Sequence, residues 1–176
     1  MQRVLIIATD GFEQSELTEP KRLLEEAGAQ VTVASLKSGE IRGWDQKDWG
    51  TSVAVDCTIG DVSADDYDAL LLPGGQMNPD ILRTERSVID AVLAFDAAEK
   101  PIAAICHAPW LLAEADLIDG RTVTGWPSIR TDLANAGADV VDEEVVVDGN
   151  LITSRKPGDI PAFTEALMAA LDMPEG

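Results

Sequence analysis

The chain has 176 residues, with 13 Lys and Arg against 32 Asp and Glu, so its formal net charge at pH 7 is −19. A surface this acidic repels nucleic acid and anionic lipid, and we expect neither as a partner. The length predicts a single domain over residues 1–176, and no apolar run approaches the ~18 residues that span a bilayer.

The two cysteines, Cys57 and Cys106, indicate a reducing compartment. The sequence shows no positively charged leader followed by an apolar stretch, so we expect a cytoplasmic protein whose thiols stay reduced. Cys57 falls in a short strand predicted over residues 53–57, where a free cysteine usually packs as a small hydrophobic residue. Cys106 is therefore the candidate for chemistry.

The N-terminal part predicts a strand, a helix and a second strand. Residues 3–8 are apolar throughout, which is typical of a strand covered on both faces. A helix with apolar residues at helical spacing begins at Glu13 and ends at Gly28, and residues 30–35 form the next strand. This βαβ unit predicts an α/β fold with a doubly wound, mostly parallel sheet and flanking helices.

Residues 36–56 follow a looser pattern, in which repeated glycines predict a hairpin or ribbon that carries Trp44 and Trp49. The two tryptophans suit either a local apolar cluster or an interface. A central strand is predicted over residues 67–72, ending in a glycine turn at residues 73–75 that lets backbone N–H groups approach a ligand. After residues 78–80 the pattern predicts one helix to about residue 99.

The C-terminal part predicts a strand over residues 121–124 and a helix that has Ser128 as its N-cap. Trp126 precedes that helix as a candidate wall of a pocket. Residues 144–154 predict a β-hairpin around the turn Asp148-Gly149-Asn150, and the last helix covers residues 160–171.

Cys106 lies between a short apolar strand and a helix with Pro109 in its first turn. The small residues Ala104 and Ala108 flank it in the pattern of a nucleophile elbow, where strand and helix pass too closely for larger side chains. A helix N-terminus also offers free N–H groups and a positive dipole end, which favour thiolate over thiol. The pattern predicts a nucleophilic cysteine.

Three predicted segments end at the same edge of the sheet: residues 10–13, residues 74–75 and Cys106. Glu13 and Glu16 are neighbours on the first helix. They either stabilise the helix dipole or, beside the thiol, one of them keeps its proton at neutral pH and acts as an acid and base.

His107 is the one histidine of the sequence. This composition excludes a distant imidazole base and the usual zinc ligand sets, so His107 is either a packing residue or the base beside Cys106. The backbone N–H groups of Gly75 and His107 are a candidate oxyanion hole. Neither a phosphate-binding loop nor a dinucleotide fingerprint is present, and we expect no metal and no cofactor.

The chain resembles the PfpI family of intracellular cysteine proteases, within the superfamily of the Parkinson-disease-linked deglycase, which has a class I glutamine-amidotransferase-like, flavodoxin-like fold. The resemblance covers nearly the whole length. It rests on six segments, namely DGFEQSEL (10–17), LPGG (72–75), AICHAP (104–109), NAG (135–137), DEEVVVD (142–148) and TSRKP (153–157).

The resemblance implies that Cys106 is the nucleophile, that His107 is its base and that Glu16 is the carboxylic acid hydrogen-bonded to the thiol. It also implies a homo-oligomer, a dimer or a hexamer, in which Asp80 of a neighbouring subunit orients the histidine. Asp80 stands where the protease-like members carry Glu, and Ala108 replaces the commoner Gly.

The activities of the family include peptide hydrolysis, removal of early glycation adducts, conversion of methylglyoxal and general stress protection. We therefore expect a thiol-dependent hydrolase that attacks a small carbonyl compound, a glycated amine or a peptide. The alternatives are a redox-sensing stress protein or chaperone, in which Cys106 is oxidised to a sulfinate held by Glu16, and a protein that only binds.

Overall fold

A computed structural model describes residues 1–174 of the chain, which form eleven strands and six α-helices. The strands are β1 (Arg3–Ile7), β2 (Gln30–Ser35), β3 (Gly39–Asp45), β4 (Asp48–Val55), β5 (Cys57–Thr58), β6 (Ala69–Leu72), β7 (Ile102–Ile105), β8 (Thr122–Val123), β9 (Asp139–Val140), β10 (Val146–Asp148) and β11 (Leu151–Ser154). The helices are α1 (Gln14–Glu26), α2 (Met77–Leu82), α3 (Arg86–Ala97), α4 (Pro109–Glu114), α5 (Arg130–Asn135) and α6 (Ile160–Ala170).

Seven strands make the central sheet, in the order β10-β11-β7-β6-β1-β2-β5. All neighbours are parallel except β10 and β11, which form the C-terminal hairpin. Successive residues of β1 face opposite sides: Val4 and Ile6 pack with α1 and α6, whereas Leu5 and Ile7 pack with α3 and α4. The predicted doubly wound α/β fold is confirmed, and helices on both faces explain the uniformly apolar central strands.

The chain reverses its direction of winding at β1. It passes from β1 to β2 and β5 on one side, and then crosses to β6 and β7 on the other. The connection after β1 leads to α1 on one face, and the connection after β6 leads to α3 on the other. A crevice therefore opens at the carboxyl ends of β1 and β6, which is where open α/β sheets bind ligands.

The single helix predicted to about residue 99 is wrong, because two helices, α2 and α3, occupy this region. Thr84 interrupts them: both its N–H and its hydroxyl donate to the carbonyl oxygen of Ile81, at 3.2 and 2.8 Å. A threonine hydroxyl that binds a nearby carbonyl competes with continued helix. The helix also starts earlier than expected, with Pro79 in the first turn of α2, where a missing N–H costs nothing.

Two smaller predictions are also wrong. The predicted strand over residues 53–57 is divided, since its first part belongs to β4 and Cys57 begins β5 beside β2. Asp56 between them binds the edge of β2, accepting from the N–H of Val33 at 2.8 Å. Ser128 is not an N-cap: α5 begins two residues later, after a 3₁₀ turn over Pro127–Ile129, and its N-cap position is Ile129.

The predicted ribbon is confirmed as the antiparallel pair β3 and β4, which packs against the connection after β1. The N–H of Gly11 donates to the carbonyl of Arg42 at 2.9 Å, and the N–H of Trp44 donates to the carbonyl of Phe12 at 2.7 Å. The rings of Trp44 and Trp49 meet edge to face at 5.4 Å. The ribbon thus fixes the position of the residues that lead into α1.

Across residues 1–174, every helix is too short or too polar to cross a membrane.

Candidate active site

Cys106 occupies the turn between β7 and α4 in a left-handed backbone conformation, with φ of +65°. This conformation costs a residue other than glycine roughly 1–2 kcal/mol, so the surroundings must hold it. They do so from both sides: the N–H of Cys106 donates to Ser154 at 3.1 Å, and its carbonyl accepts from Trp126 at 2.8 Å. The strand–turn–helix geometry is the one that the sequence predicts.

The glycine turn after β6 is required by close packing around Cys106. A Cβ atom on Gly74 would lie 2.6 Å from the Cβ of Cys106, from Oε1 of Glu16 and from the carbonyl oxygen of Ile105. Gly75 has φ of +84°, and its Cβ would lie 2.6 Å from the backbone nitrogen of Glu13. Only glycines let the ends of β6 and β7 and the start of α1 meet here.

Glu16, in the first turn of α1, is fully buried, with 0% of its surface exposed. Its carboxyl group faces the Cys106 thiol and the backbone of Gly74 and Gly75, but neither oxygen makes a well-aligned hydrogen bond within residues 1–174. Burial, and then the negative charge of Glu13, raise the pKa of Glu16 to about 8. Glu16 therefore carries a proton at neutral pH.

Burial acts in the same direction on the pKa of the Cys106 thiol. Only 5% of the residue is exposed, and burial raises the pKa of the thiol, with the charge of Glu16 adding to this rise once that carboxyl is ionised. The N–H groups of Gly75 and His107 oppose this rise but do not outweigh it. The predicted preference for thiolate at the helix N-terminus is thus opposed by the desolvation of a buried sulfur, and it stays a prediction.

His107 is placed to take the proton of this thiol. Its Nδ1 lies 3.2 Å from Sγ of Cys106, and burial lowers the pKa of the imidazole, which is therefore neutral at pH 7. The ring stacks on Trp126, with centroids 5.7 Å apart and planes inclined by 23°, and it meets the edge of Trp110 at 5.2 Å. Trp126 thus lies at the site, on the imidazole.

The two backbone N–H groups of the expected oxyanion hole, those of Gly75 and His107, both lie against Sγ of Cys106. Neither donates to a backbone carbonyl in the part of the chain that the structure describes. Two N–H donors that converge on a nucleophile from adjacent strand ends match the geometry of an oxyanion hole. Their catalytic role stays a prediction.

The other two predicted site residues lie further out. Glu13 is half-buried at the mouth of the crevice, and burial and the charge of Asp45 raise the pKa of Glu13. Asp80 lies on the exposed face of α2, and within residues 1–174 no hydrogen bond joins it to His107. Its expected reach into a neighbouring subunit stays a prediction. No group of three or more His, Cys, Asp and Glu side chains suited to a metal ion occurs in the same range.

Asn78 is a site residue that the sequence reasoning missed. It is fully buried, its Oδ1 accepts from the N–H of Thr9 at 2.8 Å, and its Nδ2 donates to the carbonyls of Pro73 and Gly74 at 2.9 and 3.2 Å. One side chain thus ties the end of β1 to the end of β6. An amide three residues after a glycine turn at a strand end was the available signal. Ser128, interpreted as a cap, was missed as a neighbour of the histidine.

The DJ-1/PfpI family model matches residues 2–170. The chain belongs to the DJ-1/PfpI family. It is 46% identical over 173 residues to general stress protein 18 of Bacillus subtilis. The alignment covers 97% of this chain and 98% of that protein. A deglycase of Pyrococcus abyssi is 42% identical over 169 residues, with 96% of this chain and 99% of that protein covered.

Among solved structures, DJ-1beta of Drosophila melanogaster superposes with a TM-score of 0.86 at 33% identity, covering 96% of this chain and 90% of that one. The family and the flavodoxin-like fold that the sequence resemblance implied are therefore confirmed. Within the DJ-1/PfpI family, relatives carry the names of a deglycase and of a stress protein, so the names alone leave the reaction of this chain to be argued from its site.

Proposed function

We propose that this protein is a thiol-dependent hydrolase of the deglycase type, in which Cys106 attacks a carbonyl carbon. The observation that carries the proposal is the 3.2 Å separation between Sγ of Cys106 and Nδ1 of a neutral His107, on a turn that presents the sulfur to two free N–H groups. A nucleophile paired with a base, beside N–H donors, is the arrangement that acyl and carbonyl chemistry needs. Relatives named deglycase support this choice.

The first step is the same for a glycated amine, a small dicarbonyl compound or a peptide. The sulfur of Cys106 bonds to the carbonyl carbon while His107 Nδ1 takes the thiol proton. The carbonyl oxygen becomes an alkoxide that accepts from the N–H groups of Gly75 and His107. Glu16, which is protonated, donates toward the sulfur and so avoids a second negative charge beside it. With a peptide, the imidazolium gives its proton to the departing amine as the intermediate collapses to a thioester, and water then hydrolyses the thioester and frees the thiol of Cys106. With a carbonyl carbon that has no leaving group, the imidazolium proton goes to the alkoxide, and the product of this step is a hemithioacetal.

The test is the loss of a methylglyoxal-derived hemithioacetal on a model peptide. We expect turnover by the unaltered chain and a loss of at least about 10³-fold in kcat/KM in Cys106→Ser. Cys57→Ser is the matched control, since Cys57 is the other free thiol and lies in β5, away from the site. Equal rates in the unaltered chain and Cys106→Ser would contradict a thiol mechanism.

A second candidate, a redox-sensing stress protein, is favoured by the buried carboxyl of Glu16 against Sγ of Cys106. A protonated carboxyl could hold an oxidised sulfur by a hydrogen bond. The relative named general stress protein 18 gives this candidate independent support. Protection of client proteins that depends on peroxide, with no turnover of any carbonyl substrate, would favour it over the hydrolase.

We also propose that the protein works in the cytoplasm, as a homo-oligomer in which Asp80 approaches the site of a neighbouring subunit. The two free thiols suit a reducing compartment. The exposed position of Asp80 on α2, beside the crevice, suits a contact between copies. Light scattering gives the mass in solution, and a monomer at working concentration would remove this part of the proposal.

A further inference from the structure

The backbone of Glu13 is fixed at the mouth of the crevice. Its N–H donates to the carbonyl of Gly74 at 3.2 Å, and its carbonyl accepts from the N–H of Glu16 at 3.0 Å. Glu13 also forms an isolated parallel bridge with Trp44 of the ribbon. The half-buried carboxyl of Glu13 is therefore held between the glycine turn, the ribbon and the first turn of α1, in front of the buried nucleophile.

The charges at this mouth are all negative. Asp45, an exposed carboxylate of the ribbon, acts on Glu13, and the charge of Glu13 acts in turn on Glu16 and on the sulfur of Cys106. None of the salt bridges of residues 1–174 includes Glu13 or Glu16. The nucleophile thus lies behind carboxyl groups that no cation of the described chain neutralises.

The arginines of the neighbouring elements are engaged elsewhere. Arg42 of the ribbon donates from Nε to the carbonyl of Gly50 at 3.2 Å and lies over the ring of Trp49, 5.8 Å from its centroid. Arg83, directly after α2, pairs with Glu114 at 3.2 Å. A crevice that is lined by carboxyl groups without cations attracts positive charge and repels negative charge.

The buried carboxyl of Glu16 is an independent sign that a ligand donates hydrogen bonds here. The residue is 0% exposed, and neither oxygen has a well-aligned partner within residues 1–174. A carboxyl oxygen of this kind is an acceptor that an N–H group of a ligand satisfies. The N–H groups of Gly75 and His107 offer the opposite function, since they are donors for a carbonyl oxygen. The crevice therefore complements a ligand that has both a carbonyl oxygen and a cationic nitrogen.

We propose that Glu13 determines specificity by charge, and that the site prefers substrates with a positive charge beside the reacting carbonyl carbon. The class that fits is a carbonyl adduct on a peptide in which a lysine or arginine side chain flanks the modified residue. Anionic carbonyl compounds, such as 2-oxo acids and adducts of nucleotides, are disfavoured because Glu13 and Asp45 repel them. The preference among substrates rests on the proposed function, whereas the preference for cationic reagents at Cys106 does not.

The direct test measures how fast Cys106 reacts with two methanethiosulfonate probes, one with a trimethylammonium group and one with a sulfonate, in a Cys57→Ser background. Each probe forms a disulfide with the sulfur and releases methanesulfinate, so the test needs no turnover. Each rate is divided by the rate of the same probe with a small free thiol. At low salt, we expect a ratio of cationic to anionic reactivity of about 3 to 10, because the crevice attracts the cation.

Glu13→Gln keeps the size of the side chain and removes its charge. We expect it to lower the ratio about 2- to 5-fold at low salt and less at about 0.5 M salt, while a neutral methyl probe reports any separate change in the reactivity of the sulfur. Glu99→Gln is the matched control and should leave the ratio unchanged, since Glu99 is exposed before the amino end of β7, whereas Cys106 follows its carboxyl end.

Two results with these probes would overturn the proposal. One is an unchanged ratio in Glu13→Gln. The other is a preference for the anionic probe before any substitution, which would show that a cation, for example from a neighbouring subunit, faces Glu13.

The kinetic test compares two peptides that carry the same methylglyoxal-derived hemithioacetal, flanked by Lys in one and by Glu in the other. We expect a higher kcat/KM for the Lys peptide, mainly through a lower KM, and a smaller difference in Glu13→Gln. Equal kcat/KM for the two peptides would overturn the preference among substrates. Absence of turnover with both peptides, together with the expected probe ratios, would remove the proposed function and leave the charge preference of the site standing.

Discussion

At the scale of single residues, the site depends on one left-handed backbone conformation and on two protonation states. Cys106 holds a left-handed backbone, Glu16 keeps a proton at neutral pH and His107 remains neutral between two indole rings. Hydrogen bonds to Ser154 and Trp126 hold the backbone of Cys106, whereas burial sets the two protonation states by removing water from titratable groups that lie close together. The same burial makes the site sensitive to the addition of a single methyl group and to changes of pH.

The raised pKa of Glu16 predicts a pH dependence of stability. The carboxyl titrates near 4.5 when unfolded and at about 8 when folded, so between these values the folded state binds more protons. The contribution of Glu16 to the free energy of unfolding is full below pH 4.5 and falls as pH rises through 8, by at most about 1.4 kcal/mol per pH unit.

Glu16→Gln removes this dependence. Urea unfolding at several pH values between 5 and 8 measures the free energy of unfolding of both proteins. We expect the value for the unaltered chain to fall with rising pH relative to that for the variant. Parallel curves would mean that Glu16 is ionised in the folded protein.

The contacts of Gly74 predict that even one methyl group disrupts the site. In Gly74→Ala the new Cβ would meet the Cβ of Cys106 and the carbonyl of Ile105 at 2.6 Å, and backbone cannot move aside cheaply. We expect a loss of about 1–3 kcal/mol in the free energy of unfolding, and slower alkylation of Cys106. Gly60→Ala is the control, because a Cβ there meets nothing within 4 Å. A Gly74→Ala protein as stable as this control would contradict the packing.

At the scale of elements, the crevice exists because strand ends are tied together. β1 and β6 are neighbours in the sheet, but the segment after β1 leads to one face and the segment after β6 leads to the other. The hydrogen bonds between the two strands therefore do not join these segments to each other. Asn78 on α2 and the ribbon of β3 and β4 supply the missing links. Each link binds backbone groups that would otherwise be buried without partners.

Asn78→Ala should therefore act on two elements at once. It leaves the N–H of Thr9 and the carbonyl of Pro73 without their partner in the interior, whereas the carbonyl of Gly74 still accepts from the N–H of Glu13 at 3.2 Å. We expect a loss of about 2–4 kcal/mol in the free energy of unfolding. Amide hydrogen exchange should show faster exchange at Thr9. Asn135→Ala, at the exposed end of α5, should stay within about 0.5 kcal/mol of the unaltered chain. Equal changes in the free energy of unfolding for the two substitutions would contradict this role of Asn78.

At the scale of the whole molecule, the excess of carboxylates determines the electrostatics of the surface. A net charge of −19 on 176 residues makes the folded surface repel itself, whereas the core is assembled from apolar strands and helices on both faces. The surface thus sets solubility and response to salt, and the core sets the fold.

Salt should therefore stabilise the protein. Raising sodium chloride from about 0.01 to 0.5 M shortens the Debye length several-fold and predicts a rise of several degrees in Tm at pH 7. A variant with Glu40, Glu143 and Glu165 changed to Gln should start with a higher Tm and gain less from salt, since these three residues are exposed. A Tm that is independent of salt would show that repulsion between carboxylates contributes little to the stability of the folded protein.

The sequence by itself determined the architecture and the chemistry-bearing residues. Apolar strands alternate with helices of period 3.6, and this pattern is local, so it predicts the parallel sheet, the C-terminal hairpin and the ribbon directly. Small residues around Cys106 similarly predict the elbow, because close approach of strand and helix excludes larger side chains. The break at Thr84 and the edge strand at Cys57 were missed, since each depends on a few hydrogen bonds rather than on a repeated pattern.

Only the tertiary structure decided the protonation of the site and the partners of its histidine. The pKa of Cys106 and of Glu16 follows from how completely neighbouring elements exclude water, and no local pattern records that. Asn78 and Ser128 likewise gained their contacts from elements far from them in sequence: Asn78 on α2 meets the end of β1, and Ser128 meets the imidazole on the elbow. Distance along the chain hides such contacts because folding, and not spacing, brings the groups together.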